Sequence, residues 1–202
     1  MSLRDSLPDT SSLERASACE IQDENGNKVT FGSIIANKKT VVVFIRHFFC
    51  GMCQLYVEQL GAIPQTALDA AETKIVVIGC GDYRALPQYK ENANYNGFIY
   101  ADSDRKLYFA LGLDIETTAR TPAGEEKRSY VTQGFYTNLW NSMKRGPFRD
   151  PSLIGKQGNF NQLGGDFIFG PGNTCTLAHR MQHTQDHMEV ADLMKAAGVS
   201  LP

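Results

Sequence analysis

The sequence predicts an α/β fold, one mixed sheet sandwiched between helices, and three observations predict it. Residues 41–45 and 75–78 are short apolar runs (Val41, Val42, Val43, Phe44, Ile45; Ile75, Val76, Val77, Ile78). Runs this short are strands buried on both faces, not membrane spans. Between them Met52, Leu55, Tyr56, Leu60 and Ile63 recur at helical spacing. Two buried strands joined by a helix form a right-handed unit with parallel strands. Finally, the element order is two short strands, an alternation of strands and helices, then a hairpin and a closing helix, which layers helices over a sheet.

Residues 1–18 are rich in Ser, Asp and Arg and read as an N-terminal tail, either loosely held or forming a short helix over 11–18. Residues 19–202 form the domain. Residues 19–31 predict a β-hairpin turning at Asn25-Gly26-Asn27. Ser33 offers a cap for one helical turn over 34–36. After the strand at 41–45 and the helix from Met52, Pro64 ends that helix, and helical composition resumes over 65–71. The second strand closes on Gly79-Cys80-Gly81. A helix over 86–93 and a strand over 97–101 follow. Asp102, Ser103 and Asp104 cap a helix over 105–111 that Gly112 stops. Residues 113–163 read as a surface insertion, with one anchored helix over 133–144 carrying Trp140. Residues 165–169 and 174–178 form a hairpin around Gly170-Pro171-Gly172-Asn173, and a helix over 186–197 closes the chain.

The bulk composition narrows the function. The chain has 202 residues, 42% hydrophobic and 21% charged, with net charge -2 and pI about 6.1. That balance fits one globular domain and gives no footprint for nucleic acid or an anionic membrane. Five cysteines are too few and too unevenly numbered for a secreted disulfide scaffold. No apolar run reaches the ~20 residues of a membrane helix, and the N-terminus has no signal-peptide core. The expectation is a soluble cytoplasmic protein.

Residues 40–60 carry the chemistry: a strand, Phe48 and Phe49, then Cys50-Gly51-Met52-Cys53 opening a helix. In a βαβ context this is the mark of a thioredoxin-like redox site. Only a thiolate attacks, and a free thiol of pKa about 8.5 is mostly protonated at neutral pH. A helix N-terminus stabilises the thiolate through its unpaired amides and dipole. Arg46 and His47 stand ready to add positive charge. One thiol attacks and the other resolves the resulting sulfenic acid or mixed disulfide. A zinc half-site would need two more ligands, and there is no second Cys pair. Cys80 reads as a small buried residue in a tight turn, or as a third redox partner. The Gly79-x-Gly81 turn lacks the later glycine of a dinucleotide loop. Cys19 and Cys175 read as structural residues of hairpin strands. His179, His183 and His187 would line one face if helical, but Thr184-Gln185-Asp186 reads as a helix cap that breaks the face. A surface loop, or one histidine packed near the active edge, is the default. Phe48 and Phe49 are either an apolar wall or core beneath the site.

The sequence resembles the AhpC/TSA antioxidant proteins, specifically the peroxiredoxin-like 2 group of the thioredoxin superfamily. The resemblance rests on Arg46-His47-Phe48-Phe49-Cys50-Gly51-Met52-Cys53 after the strand, on Ile78-Gly79-Cys80-Gly81 and on Tyr100-Ala101-Asp102 through Leu111-Gly112-Leu113. It extends to residues 162–169 and to Asp186-His187, and so covers roughly residues 19–198. It implies a thioredoxin-like (peroxiredoxin-like) three-layer fold with thiol redox chemistry. The chain departs from two patterns. Cys50 stands where a peroxiredoxin loop carries its activating threonine, and Gly164-Gly165 stands where thioredoxins place a proline. Cys50 aligns with the nucleophile of a thioredoxin, Cys53 with the peroxidatic residue of a peroxiredoxin.

The expected function is that of a thiol-dependent redox enzyme. Cys50 attacks, Cys53 resolves, and Arg46 and His47 give electrostatic support. Its substrate is a peroxide or disulfide, its reductant a thioredoxin- or glutathione-type thiol system, and no bound cofactor or metal is required. A homodimer is a further expectation. The alternatives are a reductase of an organic peroxide or endoperoxide, and a non-catalytic redox-sensing or partner-binding module acting through the Trp140 insertion.

Overall fold

A computed structural model describes residues 3–132 and 150–201. Within them the strands are β1 (Glu20–Gln22), β2 (Lys28–Thr30), β3 (Lys39–Phe44), β4 (Thr73–Gly79), β5 (Phe98–Ala101), β6 (Gly165–Phe169) and β7 (Cys175–Arg180). They form one sheet in the order β2-β1-β5-β4-β3-β6-β7. The helices are α1 (Thr10–Ala18), α2 (Phe31–Ile35), α3 (Gly51–Gly61), α4 (Gln65–Ala70), α5 (Leu86–Asn92), α6 (Lys106–Ala110) and α7 (Val190–Ala196).

β3 runs parallel to β4, with Val41 opposite Ile75, and β4 runs parallel to β5, with Val77 opposite Ile99. β6 pairs antiparallel on the other side of β3, with Val42 opposite Phe167. Side chains alternate across a strand, so Val41, Val43 and Ile45 face one layer while Val42 and Phe44 face the other. The first layer packs Tyr56, Val57 and Leu60 of α3, Leu86 and Tyr89 of α5, and Leu193 and Met194 of α7. The second packs Ala16 of α1, Phe31, Ile34 and Ile35 of α2, and Leu107 and Tyr108 of α6. Burial on both faces explains why β3 reads as a continuous apolar run.

The N-terminal hairpin joins the sheet edge through Gln22 opposite Ala101. The cap expected at Ser33 is Thr30 instead, whose hydroxyl accepts from the Ser33 amide, so α2 starts earlier. Residues 10–18 form α1, capped by Asp9 and held on the second core layer by buried Ala16. Arg105, immediately before α6, is left-handed, and the buried Asp102 carboxylate accepts from the amides of Leu107 and Tyr108. The last helix is shorter than expected. Asp166 and Asp186 take the amides of Met188 and Gln182, which holds residues 182–189 in an irregular path.

The expected helix with Trp140 lies outside the described residues. In the described parts of 113–163, Glu116 and Gln162 bridge, and Tyr130, Leu153 and Leu163 are buried. The segment is therefore anchored in the core at several points, beyond a surface decoration.

Gly164 is set by a close approach. A Cβ there would lie 1.7 Å from the Phe44 carbonyl oxygen. Gly164→Ala should therefore lower stability by about 3 kcal/mol or more, because β6 must move off β3. A urea titration should show a lower midpoint at unchanged slope.

Candidate active site

Parallel β3 and β4 end on one edge of the sheet, where ligands of open α/β sheets gather. The edge is locked by two contacts. The Ile45 amide donates to the Ile78 carbonyl at 2.9 Å, and the Tyr108 hydroxyl reaches the carbonyls of Ile45 (2.6 Å) and Ile78 (2.9 Å). From this edge the chain turns through Arg46–Phe49 into α3.

Cys50 is the N-cap of α3, in extended conformation, and its sulfur accepts from the Cys53 amide at 3.3 Å. An oxygen side chain usually fills this role. The Cys53 Sγ lies 2.8 Å from the Cys50 Sγ, and both are free thiols. The Arg46 amide points at the Cys53 sulfur (3.5 Å), and one guanidinium nitrogen lies 3.7 Å from the Cys50 sulfur. The other donates to the Phe160 carbonyl at 2.6 Å, which fixes the guanidinium over the pair.

The two thiols are driven apart in acidity. The hydrogen bond from Cys53 lowers the Cys50 pKa most; burial opposes it, and Arg46, the Cys53 amide and His187 add to the lowering, bringing it to about 6. Burial raises the Cys53 pKa well above the ordinary value, and donation to Cys50 raises it further. The arrangement can therefore hold a thiolate on Cys50 and a proton on Cys53.

Arg46, Cys50 and Cys53 thus meet as expected. His47 does not supply charge. Burial, helped by Arg46, drives its pKa down to about 3, and its ring packs edge-on to Phe160 with centroids 4.7 Å apart. A desolvated imidazole beside a guanidinium stays neutral. Phe48 belongs to the core, edge-on to Tyr89, and Phe49 packs partly buried beside it. Cys80 is turned into the sheet edge. Its thiol donates to the Arg46 carbonyl at 2.8 Å, and burial raises its pKa to about 11. Cys19 is the C-cap of α1 rather than a hairpin strand residue, while Cys175 lies in β7.

The three histidines share no helical face. His179 is on β7, and His183 and His187 lie in the irregular path before α7. His179 approaches Asp5 (3.1 Å), His183 approaches Glu125 (3.4 Å) and His187 Nδ1 approaches Asp166 (2.9 Å). All three rings are buried. Glu125, His183 and Asp186 do converge, but the Asp186 oxygen nearest the histidine is taken by Arg4 (2.5 Å) and Arg128 (3.4 Å). These guanidiniums already compensate the carboxylate.

His187, bonded to Asp166, also packs against the helix that carries the two cysteines. The imidazole stacks on Tyr56 of α3, centroids 4.3 Å apart and planes 6° off parallel. Sequence reasoning named neither among the site residues, although it allowed one of the three histidines a place near the active edge. The available signal was Asp166 itself, a carboxylate inside the otherwise apolar strand Gly165–Phe169, since buried carboxylates rarely stand without a partner.

A family model for the AhpC/TSA antioxidant enzymes matches residues 59–183, beginning just after the cysteine pair. Peroxiredoxin-like 2C of Mus musculus is 33% identical over 183 residues, 89% of this chain and 77% of that protein. Prostamide/prostaglandin F synthase of Xenopus tropicalis is 26% identical over 184 residues, 87% of this chain and 82% of that protein. Among solved structures, reduced Prx3 of Vibrio vulnificus in complex with hydrogen peroxide superposes with a TM-score of 0.61 at 15% identity, covering 95% of this chain and 98% of that one. The layered sheet, the N-capping Cys50 and these likenesses agree: the chain has a thioredoxin-like peroxiredoxin fold and belongs to the AhpC/TSA antioxidant enzyme family.

Proposed function

We propose that the protein is a thiol-dependent peroxide reductase in which Cys50 attacks and Cys53 resolves. The observation that carries this reading is the 2.8 Å approach of the two free sulfurs at the start of α3, with the Cys53 amide and Arg46 both directed at Cys50. A Cys50 thiolate attacks the peroxide oxygen, the O–O bond breaks, and Cys50 becomes a sulfenic acid while the alcohol or water leaves. Cys53 then closes a disulfide with loss of water, and an external thioredoxin- or glutathione-type thiol returns the pair to the reduced state. The same pair can exchange with a protein disulfide. The reaction uses sulfur alone and needs no bound cofactor. A cytoplasmic setting, where thiol reductants are abundant, suits it. The described residues contain no helix long and apolar enough to cross a membrane.

A second substrate class has its own support. The relative named prostamide/prostaglandin F synthase makes an endoperoxide or other organic peroxide a candidate substrate for the same thiol. Electrons and attacking sulfur are then unchanged, and only the leaving oxygen differs.

Two measurements test the assignment. In rapid-mixing oxidation by hydrogen peroxide or cumene hydroperoxide, Cys50→Ser should abolish the fast phase. Cys53→Ser should keep that phase and accumulate a trappable sulfenic acid on Cys50. The reverse pattern would make Cys53 the attacking thiol.

The acidity of Cys50 is separately measurable from the pH dependence of its alkylation by iodoacetamide. A lowered pKa means that the rate falls only as pH drops toward about 6. Arg46→Gln should move that midpoint up by about one unit, because a nearby cation favours the thiolate. A wild-type midpoint at the ordinary thiol value would remove the electrostatic part of the reading.

A further inference from the structure

The groups around Cys50 treat the reduced and the oxidised pair unequally. The Cys53 amide points at the Cys50 sulfur from 3.3 Å, and the Cys53 thiol lies 2.8 Å from it. A guanidinium nitrogen of Arg46 lies 3.7 Å from the same sulfur. Three donors, one of them a cation, converge on one sulfur, an arrangement that suits an anion. A disulfide sulfur carries no net charge and is a weak acceptor. Closing the Cys50–Cys53 bond therefore takes the acceptor from the amide and the counter-charge from the guanidinium.

Nothing nearby replaces that counter-charge. Arg46 is only 8% exposed. Among the described residues its guanidinium contacts the Cys50 sulfur and the Phe160 carbonyl (2.6 Å) and no carboxylate, and its Nε is buried without a partner. The carbonyl is a dipole, and the neighbouring His47 is neutral. A buried cation that loses its counter-charge is costly. The contacts that favour a Cys50 thiolate over its thiol thus favour the reduced pair over the disulfide as well. A dithiol whose reduced form is stabilised makes an oxidising disulfide.

We infer that the closed Cys50–Cys53 pair is a disulfide donor, which oxidises a partner protein carrying two neighbouring thiols. Of the two directions that exchange with a protein could take, this is the downhill one. The inference rests on the peroxide-reductase reading above for its oxidant, the peroxide that closes the pair. In the transfer, a partner thiolate attacks the Cys50 sulfur, since Cys50 keeps 5% of its surface exposed and Cys53 none. The Cys50–Cys53 bond breaks, and the proton of the attacking thiol ends on Cys53, where burial holds it. The partner's second thiol then attacks the partner sulfur of the mixed disulfide. Cys50 leaves as a thiolate, received by the Cys53 amide and Arg46, and the second proton goes to water. The pair gains two electrons, the partner loses two, and the partner leaves as a disulfide. The thiolate that the site stabilises is the leaving group of this last step, and a lower thiol pKa leaves faster. A second thiol on the same partner is already at hand, whereas a monothiol must bring a second molecule to an enclosed sulfur.

The test measures the direction of transfer without peroxide. The full chain is oxidised with diamide, freed of reagent and mixed with an equal amount of reduced thioredoxin as the dithiol probe. Both disulfides are quantified at equilibrium after acid quenching and alkylation. The disulfide should move onto thioredoxin by roughly tenfold or more. In Arg46→Gln that equilibrium constant should fall by about tenfold, because the cation that favours the reduced pair is gone. At equal thiol concentration, thioredoxin should open the wild-type disulfide roughly 100-fold faster than glutathione. A wild-type pair that keeps its disulfide at least as well as thioredoxin overturns the inference, whatever the variant does. So does a folded Arg46→Gln with an unchanged constant, or a glutathione rate equal to that of thioredoxin. A chain that hydrogen peroxide leaves reduced, but whose diamide-made disulfide still passes to thioredoxin, overturns the peroxide-reductase reading and supports the transfer.

Discussion

Everything at the cysteine-bearing edge depends on β3 being buried on both faces and paired on both sides. The strand has β4 on one flank and β6 on the other, and residues 41–45 are wholly removed from solvent. A strand held this way cannot slip by one residue without turning Val42 and Phe44 into the wrong layer. Its end therefore delivers Arg46 and Cys50 to fixed positions. The contacts of Ile45 and Tyr108 tie that end to β4. The N-terminus of α3 is placed by packing in the core, and the sulfur meets amides that are already oriented. Preorganised donors of this kind favour the ionised form of the Cys50 thiol.

The same burial makes the polar residues of the first layer costly. Asp166 and Asp186 are both inaccessible to solvent. An isolated carboxylate there would be untenable, so each is surrounded by donors. Asp166 has His187 and the Met188 amide, and Asp186 has Arg4, Arg128 and the Gln182 amide. This network accounts for residues 186–189 staying out of the helix that the sequence predicts over 186–197. It also brings the N-terminal segment into the fold, since Arg4 reaches across to Asp186. Satisfying the charges takes precedence over local helix propensity because an unsatisfied buried charge costs several kcal/mol and a lost helical turn far less.

The 113–163 segment has a role its composition does not announce. Its carbonyls at Lys156, Gln157 and Phe160 accept from Asp82, Phe48 and Arg46 respectively. Those three bonds span the ends of β3 and β4, next to Cys50 and Cys80. The cysteine pair is consequently enclosed, and Phe160, half exposed, stands over His47 beside it. Gly158 and Gly81 allow the close approach, for a Cβ on either would lie within 2.7 Å of backbone or sulfur.

The sequence by itself determined the layers and the place of the cysteine pair. Apolar runs at residues 41–45 and 75–78 mark buried strands, and helical spacing from Met52 marks α3, because these patterns reflect burial directly. Cys50 and Cys53 were legible because their spacing at a strand–helix junction has few other uses. Tertiary structure decided the rest. Whether His47 is charged depends on desolvation, and its position beside Arg46 does not reveal that. That His187 is the histidine stacked on Tyr56 of α3 depends on its bond to Asp166, 21 residues away in sequence. The acidity order of the two thiols comes from which sulfur caps the helix and which donates to the other. Hydrogen-bond direction, burial and long-range charge are properties of the packed molecule, whereas hydrophobic period and motif spacing are properties of the chain.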